Sequence, residues 1–176
     1  MHKNLADGTH TRNVGTVGTG VTAEEYGDGQ NHYTKLTLSG APVTIGDNAA
    51  LAVGALVYTL PAGAGRLNTI SVSVGLTLTT GTPTTDTPDF GVGTVLASGA
   101  NALLSAAPAG SEVILTGQTM TDIAGTATTV SADIDTVFEL AGARTVYVNF
   151  ADTWADVTDT AATADGTIWL WWSLFA

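Results

Sequence analysis

The sequence predicts an all-β protein: a single antiparallel β-sandwich, jelly-roll-like, with an extended N-terminal arm. Three observations carry this expectation. Ile70, Val72, Val74, Leu76 and Leu78 alternate with Ser71, Ser73, Gly75 and Thr77, the period of a half-buried strand. Short apolar runs recur between Gly- and Pro-rich turns along the chain. Charged residues make up only 12% of the chain, against roughly 25% in an average globular protein. The polar surface is therefore Thr, Ser and Gly, which suits strands and tight turns.

Residues 1–30 are rich in Gly, Thr and Asn without hydrophobic periodicity, and read as an extended or flexible arm. Within them, Gly15-Thr16-Val17-Gly18-Thr19-Gly20 has the glycines of a phosphate loop. It lacks the lysine, a preceding strand and a following helix, so it reads as a linker. The domain itself is expected over residues 31–176. Its first strands are short: Tyr33–Leu38 and Pro42–Ile45. Leu51–Leu60 is apolar almost throughout, as for a strand buried on both faces, and ends at the turn Pro61-Ala62-Gly63. Arg66–Thr80 is the cleanest alternating strand. Pro83 and Pro88 keep the next segment out of a central strand.

Phe90–Ala97 is the next expected strand, with Gly91 and Gly93 allowing a bulge. Ala100–Ala109 is ambiguous, with one short helix as an option ended by Pro108 and Gly110. Glu112–Thr116, Thr126–Ala132, Thr136–Leu140 and Thr145–Phe150 follow as strands, and Asp152–Gly166 as a polar loop holding Trp154. The last strand, Thr167–Phe175, is the most hydrophobic. Trp169, Trp171 and Phe175 are expected on one face, Ile168, Leu170, Trp172 and Leu174 on the other.

Composition excludes several kinds of chemistry. There is no cysteine, hence no disulfide framework and no thiolate catalysis. The net charge of -11 opposes binding to a phosphate backbone, and no polybasic patch marks a membrane surface. No run approaches the length of a membrane span, and the N-terminus lacks the apolar core of a signal peptide. These features suggest synthesis in a cytoplasm, with no nucleic-acid or membrane partner. The first 35 residues carry three basic and four acidic groups, so the remaining chain holds almost all the negative charge.

No catalytic constellation is legible, and no enzyme activity is expected. His2, His10 and His32 all fall in or beside the arm, and His32 reads as a surface residue. There is no nucleophile elbow. Carboxylates gather at Asp133, Asp135 and Glu139, and again at Asp152, Asp156, Asp159 and Asp165. A calcium ion wants roughly six to eight oxygens, and this spacing fits no EF-hand. Solvated turn residues are the expected reading, with no metal and no cofactor, although spacing alone does not exclude a glycosidase pair.

The remaining signal is aromatic. A strand with three tryptophans must be covered on both faces, and one domain core covers one face. A second sheet layer, the arm or a neighbouring subunit must cover the other. Candidate interface residues are Lys3, Arg12, Tyr26, Tyr33, Trp154, Trp169, Trp171 and Phe175.

Several stretches resemble structural proteins of tailed bacteriophages, marine ones in particular. They are Leu36-Thr37-Leu38, the run Val43 to Gly54, Leu56 to Gly63, Thr87 to Thr94, Ile114 to Met120, Thr145 to Trp154 and the Trp-rich end. The resemblance covers residues 30–176. It implies a capsid decoration, or cement, protein on the outer capsid surface, a homotrimer at threefold and quasi-threefold points that binds the major capsid protein. The expected alternatives are another virion part (head fibre base, tail-tube or tail-tip protein) and a glycan-binding β-domain using Trp154.

Overall fold

A computed structural model describes residues 15–27, 30–45, 50–79, 86–137, 144–154 and 161–174, with the backbone alone along 133–137. Among the described residues ten strands run in chain order: β1 (Thr16–Val17), β2 (Val21–Gly27), β3 (Asn31–Thr44), β4 (Ala52–Thr59), β5 (Ala64–Leu78), β6 (Asp89–Gly93), β7 (Leu115–Thr119), β8 (Thr128–Val137), β9 (Thr145–Ala151) and β10 (Ala161–Leu174). They form two five-stranded sheets, β1-β4-β9-β6-β7 and β2-β3-β10-β5-β8.

The pairing is nested. β3 pairs with β10, β4 with β9, β5 with β8 and β6 with β7, all antiparallel. The chain thus behaves as one long hairpin. It rolls up when β10 also pairs with β5, and β9 with β6. That is a jelly roll, in which two packed sheets bury one face each. β1 and β2 add a fifth strand at one edge of each sheet.

Period-two alternation builds the core. Leu36, Ile168 and Val72 sit side by side across β3, β10 and β5, and Leu170 lies opposite Ile70, all essentially inaccessible. Val57, Phe90, Val92, Val146, Val148 and Phe150 meet them from the other sheet. Burial of a side chain of this kind is worth about 1.5–3 kcal/mol. A bulge between Leu56 and Tyr58 lets Val57 and Tyr58 both turn inward. A second bulge, between Ala164 and Gly166, lets β10 span both neighbours. Gly166 has φ 142° there, and a Cβ at this position would collide with the Ser73 carbonyl.

Several sequence expectations need correction. Residues 15–27 are not part of an arm: β1 and β2 belong to the two sheets, and Gly20, at φ 72°, makes the turn between them. The expected strands Tyr33–Leu38 and Pro42–Ile45 are one strand, β3, because Pro42 lies where its missing N–H is tolerated, beyond the part of β3 that β2 covers. Residues 128–137 likewise form one strand, with 138–140 outside the described residues. The strand expected from Glu112 begins at Leu115, since Ser111 and Glu112 lie in a turn. The strand from Phe90 stops at Gly93, and the ambiguous Ala-rich stretch holds a single 3-10 turn, Leu104–Ala106. The last strand starts at Ala161, inside the expected polar loop.

Candidate functional site: an aromatic sheet face

The outer face of the β2-β3-β10-β5-β8 sheet is assembled row by row from strand register. One row reads Glu24, Lys35, Trp169, Ser71 and Ser131, and the next Thr22, Thr37, Thr167, Ser73 and Thr129. A third brings Tyr26, Tyr33, Trp171 and Thr69 together. Of the expected interface residues, the fold therefore gathers Tyr26, Tyr33, Trp169 and Trp171 into one patch. Lys3, Arg12 and Phe175 lie outside the described residues.

The rings pack on one another. Tyr26 and Trp169 stack with centroids 6.1 Å apart, and Tyr33 meets Trp171 edge-on at 4.7 Å. The Lys35 ammonium lies 5.9 Å from the Trp169 ring centroid and 3.8 Å from a Glu24 carboxylate oxygen. The Tyr26 hydroxyl donates to Glu24 Oε2 at 2.6 Å. That hydrogen bond, with smaller contributions from burial and the carboxylate charge, holds the Tyr26 phenol above its ordinary pKa. Trp171 remains 37% exposed, a large value for a tryptophan on an otherwise ordered sheet.

Beside the rings, hydroxyls pair across strands, Ser131 with Ser71 and Ser73 with Thr129, each at 2.9 Å. The strands of this sheet are net acidic like the whole chain, with Glu24, Glu25, Asp133, Asp135 and Asp165 against Lys35 and Arg66. Of the three basic residues beyond position 15, Lys35 and Arg66 both belong to this sheet. The sequence reading missed Lys35 as a member of the site. Its signal was alternation with Tyr33 along β3, legible once register is known.

Trp154 is a correction. It is 5% exposed, sits in the core, and its indole N–H donates to the Leu51 carbonyl at 2.8 Å. Its backbone takes a positive φ of 50°, and with its ring buried it is neither a surface anchor nor a glycan platform.

His32 is a second correction: it is 2% exposed, not a surface residue. Strand alternation turns it inward beneath Tyr33, into a buried polar network. His32 Nδ1 donates to Glu25 Oε1 at 3.0 Å, Thr34 Oγ1 donates to Glu25 Oε2 at 2.6 Å, and Trp172 Nε1 donates to Thr34 Oγ1 at 2.8 Å. The imidazole stacks on the Trp172 indole at 4.2 Å. Tyr58 borders the network, its hydroxyl accepting from the Gly15 N–H at 2.7 Å. Burial pushes the Tyr58 phenol up to about 12.

Elsewhere, Asp165 accepts from the Gly40 N–H and the Thr163 hydroxyl, and Asp152 from the N–H and hydroxyl of Thr153. These carboxylates serve turns and bulges. Among the described residues, no three His, Cys, Asp or Glu side chains gather closely enough to hold a metal ion. Glu139, Asp156 and Asp159 lie outside them. No helix of the described residues is long and apolar enough to cross a membrane. Comparison of the chain with protein-family models, curated protein sequences and solved structures finds no match.

Proposed function

We propose that this protein is a structural component of a virion: a decoration, or cement, protein on the outer surface of a phage capsid, acting as a homotrimer against the major capsid protein. The observation that carries the reading is the aromatic outer face, where Tyr26, Tyr33, Trp169 and Trp171 cluster beside Lys35 on an otherwise acidic body. Self-association is favoured where the surface is apolar and aromatic enough to outweigh the repulsion between like-charged copies. Clustered Trp and Tyr with surface still accessible, Trp171 most of all, are the residues that dominate interface energetics. The acidic body is repelled by packaged DNA, which favours the outside of a shell. Jelly rolls are frequent among capsid components and lectins alike, so the fold is compatible with the reading without selecting it.

Light scattering is expected to give a trimer, and the protein is expected to co-sediment with expanded capsids of its phage. Trp169→Ser with Trp171→Ser is expected to give a folded monomer. A monodisperse wild-type monomer that ignores capsids overturns the proposal; a hexameric ring under the microscope points instead to a tail-tube protein. One observation favours a second reading, a glycan-binding domain: the exposed Trp171 lies opposite Thr69 across the β10–β5 ladder. Glycan-array binding lost in Trp171→Ala, with oligomeric state unchanged, selects it.

A further inference from the structure

We infer that residues 1–14 of one copy add a strand to the open edge of β8 in the next copy, so that copies join head to tail and close into a ring. The size of the ring rests on the proposed homotrimer; the pairing at β8 does not.

A strand at the end of a sheet pairs on one side and leaves the N–H and C=O of every other residue facing outward. Among the described residues four strands hold such positions. β1 and β2, joined by the turn at Gly20, lie at one edge of the sandwich, and β7 and β8 close the two sheets at the other. Proteins blunt open edges with short strands, lysine, proline or bulges. β1 has two residues, β7 five and β2 seven. β8 has ten, and contains no lysine, proline or glycine. It pairs with β5, and no described strand pairs with its other side. Val130 and Ala132 pack against the core while Thr129 and Ser131 are exposed, so a further strand meets a regular pleat there.

Residues 1–14 fit this edge by length, point of departure and charge. Fully extended they reach about 46 Å, longer than the roughly 33 Å of β8. Thr9-His10-Thr11-Arg12-Asn13-Val14 has neither proline nor glycine, and β-branched residues at Thr9, Thr11 and Val14 suit a strand. The segment departs from Gly15, whose N–H is held at 2.7 Å by the buried Tyr58 hydroxyl. β4 ends at Thr59 and Pro61 follows, so β4 offers no ladder upstream of that point. Departure point and open edge thus lie on opposite sides of the sandwich. That is a heterologous contact, which repeats head to tail and closes into a ring by rotation.

The other edges of the same chain fit less well. Pairing β8 with β8 sets side by side two strands that each carry Asp133 and Asp135, and pairing it with β2 meets Glu24 and Glu25. Residues 1–14 carry Lys3 and Arg12 against Asp7, while the rest of the chain holds three basic and fifteen acidic residues. One excess positive charge does not cancel the repulsion between bodies, so the main-chain ladder carries the contact.

The test is amide exchange along β8 in the full chain, with β5 as internal reference, across protein concentration. The outward amides of β8 are expected to be protected in the oligomer, and dilution to monomer is expected to speed their exchange about tenfold. Thr11→Pro removes a donor from the entering strand and leaves the described body untouched. It is expected to show the fast exchange at every concentration. Protection that survives dilution and is lost in Thr11→Pro places the segment on its own chain and overturns the exchange between copies. Protection that persists in Thr11→Pro, or that arises only when capsids are added, gives the edge to another strand and overturns it equally. A trimer whose β8 amides stay open removes the inference alone. Protected β8 in a ring of another number removes the trimer alone. A chain monomeric at every concentration removes both.

Discussion

At the residue scale, tryptophans that look alike in the sequence have opposite assignments. Trp154 sits in a polar loop and Trp171 in an apolar strand, yet Trp154 is the core residue and Trp171 the exposed one. Trp154→Ala is therefore expected to cost about 3–5 kcal/mol of stability by leaving a cavity. Trp171→Ala is expected to cost the isolated chain about 1 kcal/mol, the worth of its edge contact with Tyr33. Denaturant titration of both variants checks the contrast. Tyr58 makes a pH-dependent prediction. Its folded-state pKa of about 12 lies above the ordinary tyrosine value of 10.0, so the folded chain holds the proton more tightly. Stability is unaffected below about pH 10 and falls as pH rises towards 12, by about 1.4 kcal/mol at about pH 11. Comparing wild type with Tyr58→Phe at about pH 8 and about pH 11 isolates that slope, which the variant lacks. His32 was hardly legible from sequence, because a lone histidine beside Tyr33 gives no face until the strand is placed.

At the scale of elements, the strands with strong alternation were readable and the connections were not. β5 and β10 announce themselves through Ile70–Leu78 and Ile168–Trp172 because their side-chain period is set by local geometry. β1 and β2 do not. Thr16–Val17 has two residues, and Val21–Gly27 carries Glu24 and Glu25, one on each face. A carboxylate that points inward breaks the pattern on which recognition depends, and only the partners His32 and Thr34 make it tolerable. Removing residues 1–27 is expected to cost more than about 2 kcal/mol, beyond the usual effect of a single surface change. A fall in thermal midpoint for the shortened chain checks this; an arm would leave it unchanged. The turn Ser111–Ile114 was also hidden. Buried Asn149 donates to the Ser111 and Val95 carbonyls and accepts from the Ala97 N–H, binding a loop that carries little periodicity of its own.

At the scale of the whole molecule, the aromatic face is built on an acidic body. The chain carries 16 acidic and 5 basic residues, and the strands of the β2-β3-β10-β5-β8 sheet are themselves net acidic, with five carboxylates against Lys35 and Arg66. Self-association through that face must overcome repulsion between acidic bodies. Raising ionic strength from about 0.05 M to about 0.5 M shortens the range of that repulsion from about 14 Å to about 4 Å. It is expected to tighten the proposed oligomer, measured by sedimentation across protein concentration. An interface held by salt bridges behaves in the opposite sense.

What the sequence determined by itself was whatever local physics sets: the all-β class, the alternation of the long strands and the absence of thiol chemistry. Only tertiary structure decided the nested pairing, the incorporation of residues 15–27, the burial of His32 and Trp154, and the gathering of Tyr26, Tyr33, Lys35, Trp169 and Trp171 on one face. The reason is distance along the chain. β10 meets β3 across more than a hundred residues, and a contact between positions so far apart leaves no periodic trace in either segment.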